Sequence, residues 1–257
     1  MEYKKELQRL IVDIKTNHLP SVSIDCVIFG FHQGQLKVLL LRWKNTDDWC
    51  LPGGRIRKDE NMDAAAHRSL RERTGLHEIF LQQFHTFGDI NRYRHYSQSE
   101  TMAKLGLPED VAREVISRDI SVGYYALVEF ANVVPTPDLL TDECRWWDVQ
   151  QIPALLFDHN EMITLALKTL RRQLSYQPIG YNLLPEKFTM PDLQQLYETI
   201  LGESMDRRNF QKRMLSYGIL ERLDERKTGG AHKSPYLYRF DKEKYEKALE
   251  TESLFTA

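Results

Sequence analysis

The chain has 257 residues, 42% apolar and 28% charged, which is the composition of an ordinary globular protein long enough for one or two cores. Its net charge of −2 excludes a uniformly basic nucleic-acid binder, so any cationic surface has to be local. Cys26, Cys50 and Cys144 share no ligand-like spacing, which argues for reduced thiols and against a structural zinc site. No apolar run approaches the roughly 18 residues of a membrane span, and the charged N-terminus lacks the core of a signal peptide. A cytoplasmic location and no membrane partner are therefore expected.

In chain order, Leu7, Leu10, Ile11 and Ile14 recur at helical spacing over residues 3–17, so an amphipathic helix is expected before Pro20. Its apolar stripe can pack on its own domain or form a dimer contact, and the pattern does not choose between them. Residues 22–31 and 36–43 are apolar, β-branched runs on either side of His32-Gln33-Gly34, which predicts a hairpin in a buried sheet. After a loop at Asp47-Asp48, a short strand is expected at 49–51. A Gly53-Gly54 turn then opens into a helix over 62–73, which Gly75 ends as a left-handed cap.

Gly54, Glu60, Arg68, Leu70, Glu72, Gly75 and Leu76 fall in register on the pattern G-x5-E-x7-R-E-U-x-E-E-x-G-U, where U is bulky and apolar. The stretch resembles the Nudix box. Two positions depart from it, since Ser69 and Arg73 stand where the pattern has glutamate. Positions 69, 72 and 73 share a helix face, and three carboxylates there would suit Mg²⁺. In this chain Glu72 and Arg73 cancel, and a cation beside the metal position opposes divalent binding. The box is expected to keep its shape through a Glu60–Arg68 ion pair, which the resemblance implies, without supporting hydrolysis. No cofactor and no catalytic residue is expected, and Glu72 is the only metal ligand in prospect.

Residues 80–87 read as a further strand, and the Arg-, Tyr- and His-rich stretch 88–96 resembles the ligand-facing segment of ADP-ribose-type Nudix proteins, with Arg92 at the matching place. Arg55, Arg73, Arg92 and Tyr125 are the expected ligand-binding residues. An inserted helical segment is expected at 97–117, a central strand at 120–130, and a last strand at 143–149 with Trp146-Trp147 in the core. Asp158 with Glu161 fits a capping box for the next helix, which makes His159 a helix-start residue.

Pro and Gly punctuation in residues 177–185 marks a domain boundary, giving an effector-sensing domain at 1–180 and a second domain at 181–257. Thr189 with Asp192 caps a helix to about Leu201, and Asp206 caps another to Tyr217, the order of a helix-turn-helix. Phe210, Met214 and Tyr217 form the second helix's apolar side. From Asp206 to Lys233 there are eight Lys or Arg against four acids, a local +4. Residues 219–223 and 236–240 read as strands around a wing loop. Arg207, Arg208, Asn209, Lys212, Arg213, Lys227, His232 and Lys233 are the expected DNA-binding residues, cations for phosphates and Asn or Arg for base edges.

This arrangement resembles Nudix-related transcriptional regulators of the NrtR and AraR types. The resemblance implies a Nudix-like α/β/α sandwich with a mixed sheet followed by an α+β winged helix, and a homodimer on operator DNA. It also implies a small-molecule effector. A metal-independent box favours a sugar or sugar derivative over an ADP-ribose-like nucleotide. The alternative is an active Nudix pyrophosphatase with an appended DNA-binding domain, in which Glu60, Glu72 and a further carboxylate hold Mg²⁺. A third possibility is a Nudix-shaped interaction module.

Overall fold

A computed structural model describes residues 2–77, 79–93, 119–174, 180–227 and 234–250. The expected insertion at 97–117 and the wing residues His232 and Lys233 lie outside the described residues. The chain forms two compact units, Met1–Phe29 with Lys37–Ala166, and Gly30–Leu36 with Leu167–Ala257.

The first unit contains α1 (Glu2–Asn17), β1 (His18–His32), β2 (Gln35–Trp43), β3 (Trp49–Cys50), β4 (Gly53–Arg57), α2 (Met62–Thr74), β5 (Phe80–Phe87), β6 (Ile120–Glu129) and β7 (Thr141–Asp148). The strands make one seven-stranded sheet in the order β3-β2-β1-β6-β5, with β4 paired to β1 and β7 paired to β2. Ile24, Ile28, Leu39, Ile56, Leu70, Tyr124 and Ala126 fill the core where α2 covers the sheet. Burying side chains of this size supplies the main driving force for the fold, about 1.5–3 kcal/mol for each large one. The α1 stripe packs within its own unit, where Leu7 and Ile11 meet Leu41, Trp43 and Cys50, while Val12 stays exposed.

Two expectations change here. Gly53-Gly54 is a strand, β4, with Gly54 opposite Ile24 and Gly53 opposite Asp25. A Cβ on Gly53 would collide with the Ile24 carbonyl and with Asp25, so the glycine is required by a close backbone approach and not by a turn. Trp146 and Trp147 are half-buried, Trp147 lying edge-on to Trp49 at 5.2 Å and beneath the Arg145 guanidinium. The division into compact units falls within α3 (His159–Leu174).

The second unit holds the remaining half of α3 and β8 (Phe188–Thr189), followed by α4 (Met190–Leu201) and α5 (Arg207–Ser216). It closes with β9 (Leu220–Arg226), β10 (Tyr236–Phe240) and α6 (Lys242–Glu250). Its sheet runs β8-β10-β9. Thr189 and Asp192 form the expected capping box at the start of α4, and Asp206 caps α5 by accepting from the Asn209 N–H. Phe188, Leu193, Leu196, Tyr197, Ile200, Phe210 and Met214 are buried, as is Tyr245 from α6, a helix the sequence pattern did not reveal.

Gly75 ends α2 with φ of 73°, and a Cβ there would meet nothing within 4 Å. Gly75→Ala should therefore cost only left-handed backbone strain, about 1 kcal/mol, read as a lower urea midpoint with an unchanged m-value.

Candidate functional site

A cleft of about 380 Å³ opens in the first unit, lined by α1, β1, the β3–β4 turn, α2 and the segments around Arg92, Asp138 and Phe157. Its floor is a buried charge network. Arg92 donates to Asp158 through Nε and Nη2 and to Asp119 Oδ1 at 3.0 Å, and its Nη2 stands 3.8 Å from Asp25 Oδ2. Ser121 donates to Asp25 Oδ2 at 2.5 Å, and Tyr93 donates to Asp119. The Leu51 N–H donates to His159 Nδ1, so the ring proton sits on Nε2, which faces Asp25 Oδ1 at 3.6 Å. Burial pushes the Asp25 carboxyl up, but His159, Ser121 and Arg92 more than offset this and hold it below its ordinary value.

The box face lies beside this floor. Glu60 accepts twice from Arg68, at 2.6 and 3.0 Å, and once from the Arg57 N–H, while Arg68 also reaches the Arg55 carbonyl. This is the brace expected between loop and helix, and it holds the Glu60 carboxyl below its ordinary range. Glu72 pairs with Arg68 at 3.7 Å. Ser69 is buried against Gly54, and Arg73 pairs with Asp138 at 2.8 Å. Among the described residues, three buried side-chain polar atoms find no hydrogen-bond partner, and two of them are Ser69 Oγ and Arg73 Nε. Those two residues are one helical turn apart on the same face.

This donor set does not fit Mg²⁺. The hard cation needs several free oxygen ligands, whereas Glu60 and Glu72 are both engaged with Arg68 and a guanidinium occupies position 73. No group of three or more potential metal ligands occurs among the described residues.

Of the expected ligand residues, Arg55, Arg73 and Arg92 line the cleft, and so do Gly54, Arg68 and Glu72 of the box. Arg92, expected to face the ligand, lines the cleft with its side chain only 2% exposed and engaged by carboxylates. The structure places Tyr125 elsewhere. It is fully buried in β6, its hydroxyl donates to Gln82, its ring packs on Phe80 and Phe84, and it is absent from the cleft wall. Asp158 places its carboxylate on Arg92, a partner the sequence pattern did not suggest. Sequence reasoning missed Asp25, Asp119 and His159 as the floor. The signals were an aspartate inside an apolar run at 25 and polar residues at 119 and 159 beside apolar segments.

In the second unit, α5 buries Phe210 and Met214 and exposes Arg207, Arg208, Asn209, Lys212 and Arg213. Tyr217 is half-buried, and its hydroxyl accepts from Arg213 Nε at 2.6 Å. Lys227 is exposed and pairs with Asp192 at 3.3 Å. On the strands leading to the wing, Arg222 and Arg226 both lie over the Tyr236 ring, at 4.7 and 3.9 Å. These elements place an acid-free cationic helix face beside a cation-bearing β-hairpin, a geometry suited to duplex phosphates.

A Nudix-like mixed sheet with a ligand-sized cleft, followed by a winged helix with an exposed basic helix, defines a two-domain class that joins a small-molecule fold to a DNA-binding fold. The NUDIX domain profile matches residues 19–166, and the NrtR DNA-binding winged helix domain profile matches residues 180–240. The chain belongs to the Nudix family and carries an NrtR-type winged helix. A protein of Acinetobacter baylyi named ADPR responsive transcriptional repressor NtrR is 29% identical over 234 residues, 88% of this chain and 84% of that one. The crystal structure of Shewanella oneidensis NrtR complexed with a 27mer DNA is 26% identical, covers 88% of this chain and 95% of that chain, and superposes with a TM-score of 0.68. A MutT/nudix family protein from Enterococcus faecalis shares the fold at 20% identity, covering 93% of this chain and 96% of that one with a TM-score of 0.62.

Two outcomes follow from the floor network. Arg92→Ala strands Asp25, Asp119 and Asp158 without their cation, and losing one partner of a buried ion cluster costs about 3–5 kcal/mol. Chemical denaturation should show that loss, together with weaker DNA binding through unfolding rather than through effector response alone. The Asp25 carboxyl is held below its ordinary 3.8, so its contribution is present above that value and disappears as pH falls through the folded value. Stability should decline with acid in that window, and Asp25→Asn should make the decline shallower.

Proposed function

We propose that this protein is a DNA-binding transcriptional repressor whose Nudix cleft binds an ADP-ribose-type nucleotide as effector and does not hydrolyse it. The observation that carries this reading is the presence on one chain of both matched domains, in the same order and over 88% of the length shared with a relative named for ADPR-responsive repression. That name moves the favoured effector from the sugar expected from the box to an ADP-ribose-like nucleotide. The missing carboxylate cluster supports binding without turnover, because Mg²⁺-assisted attack needs the metal that this donor set does not fit. We further propose that a homodimer binds a two-fold symmetric operator, as the isologous geometry of most homo-oligomers favours.

Electrophoretic-mobility titration on duplexes selected from a random pool should show specific retardation that ADP-ribose releases and arabinose does not. Chromatography should recover the ADP-ribose intact, whereas turnover on the order of 1 s⁻¹ in Mg²⁺ would instead identify an enzyme. In the same titrations Lys212→Ala should weaken specific and random duplexes alike and reduce the salt slope by about 0.9, one phosphate's worth. Asn209→Ala should chiefly erase preference for the selected duplex. Wild-type behaviour in both variants would leave the helix face without a role in binding.

A further inference from the structure

The box face lacks the charge its pattern calls for, and what replaces that charge is specific. Serine and arginine in place of two glutamates change the face by three units towards positive. The box end of the cleft is lined by the guanidiniums of Arg55, Arg57, Arg68 and Arg73. Over the whole cleft lining five arginines, Arg92 included, meet the five carboxylates of Asp13, Asp25, Glu72, Asp119 and Asp138, so what distinguishes the box end is which donors are left unmatched, not a net charge. Arg73 is not merely a neutralised surface residue. It is nine-tenths buried and lines the cleft, Asp138 engages only its Nη2, and its Nε–H has no acceptor. One turn earlier on α2, the buried Ser69 hydroxyl also lacks a partner, next to the close-packed Gly54 backbone.

Ser69 does not line the cleft, whereas Arg73 does, and a fixed cation in the cleft wall with an unmatched donor calls for an oxygen-rich anion. Arginine offers phosphate oxygens parallel N–H bonds in a planar fork. We propose that Arg73 is the diphosphate-binding group of this cleft and takes the place of the divalent cation. The chain then holds a phosphate-bearing ligand directly, with no metal bridge. This rests on the effector reading above for the identity of the whole ligand, but not for the diphosphate itself. Asp138 serves as the resting counter-ion, and its other oxygen is occupied by the Leu140 N–H and Thr141 hydroxyl.

Isothermal titration of the full chain with inorganic pyrophosphate and, separately, with ADP-ribose, both in EDTA, tests the proposal. Wild type should bind both, with no gain on replacing EDTA by Mg²⁺. Arg73→Gln should weaken pyrophosphate by about 10- to 100-fold, the range for a hydrogen-bonded charge, and Arg73→Lys should recover part of it. Asp138→Asn keeps the acceptor for Leu140 and Thr141 but frees the guanidinium, so pyrophosphate should bind more tightly. If Arg73 only braced the Asp138 loop, Asp138→Asn would weaken binding as much as Arg73→Gln, and the proposal would fall. The double change Ser69→Glu with Arg73→Glu should make any residual binding dependent on Mg²⁺. Circular dichroism on each variant separates loss of the site from loss of the fold. A metal requirement in wild type, or ADP-ribose affinity unaltered in Arg73→Gln, overturns the proposal while leaving the ADP-ribose reading intact. Arg73-dependent pyrophosphate binding without ADP-ribose binding would uphold the proposal and remove that reading.

Discussion

The cleft depends on one desolvated cation. Arg92 sits among Asp25 from β1, Asp119 just before β6 and Asp158 at the start of α3, so a single guanidinium ties three distant parts of the chain together. A buried carboxylate cluster of this kind is unfavourable unless a cation and hydrogen bonds offset its desolvation. Arg92 supplies the charge, and Ser121, Tyr93 and His159 supply hydrogen-bonding groups. His159 is held in turn by the Leu51 N–H, which fixes the chain entering β4 and hence the glycine pair at the box's edge. The floor is thus built before any ligand arrives, which suits a binding site that must be shaped in advance.

The box shows what a fold retains when one chemistry is removed. Glu60 and Arg68 still clamp the loop after β4 to α2, with Arg68 also reaching the Arg55 carbonyl. This clamp is architecture and needs no metal. Two positions on α2 depart from the pattern, neutral Ser69 and basic Arg73 standing where it has acids. Such a separation is possible because helix periodicity puts the bracing residue and the altered residues at different angles on one element. The frame can persist while the electrostatics of the cleft wall reverse.

Much of this was legible in the sequence, and the failures share a cause. Box spacing, the Gly75 cap, the Thr189–Asp192 capping box and the polarity of α5 are local patterns, and local patterns survive folding. Gly53-Gly54 read as a turn because glycine pairs usually mark one, yet its need for glycine comes from the Ile24 carbonyl, almost thirty residues earlier. Tyr125 was expected at the ligand. In β6 both faces are buried, so alternation carries no information. The partners of Arg92 lie far away in sequence, and no window of local residues can show that they converge. Helix α6 escaped because it contributes one large buried aromatic, Tyr245, within an otherwise charged stretch.

The same division between local and distant determinants bears on how ligand and DNA functions can coexist in one chain. Each unit has its own buried core, one around Tyr124 and Leu70 and the other around Phe210 and Ile200, so each can be stable while its functional surface carries cationic groups. In the first unit the feature faces inward, as the buried Arg73 guanidinium with an unmatched donor in a cleft wall. In the second it faces outward, as arginine and lysine on α5 that bury nothing and carry no acid among them. Inward positive charge selects a small anion that can be enclosed, while an exposed positive face selects a polyanion too large to enclose. A near-neutral chain can thus hold two anion-recognising surfaces of different scale, because its acids are spent on the Arg92 floor, the Arg68 brace and the helix caps.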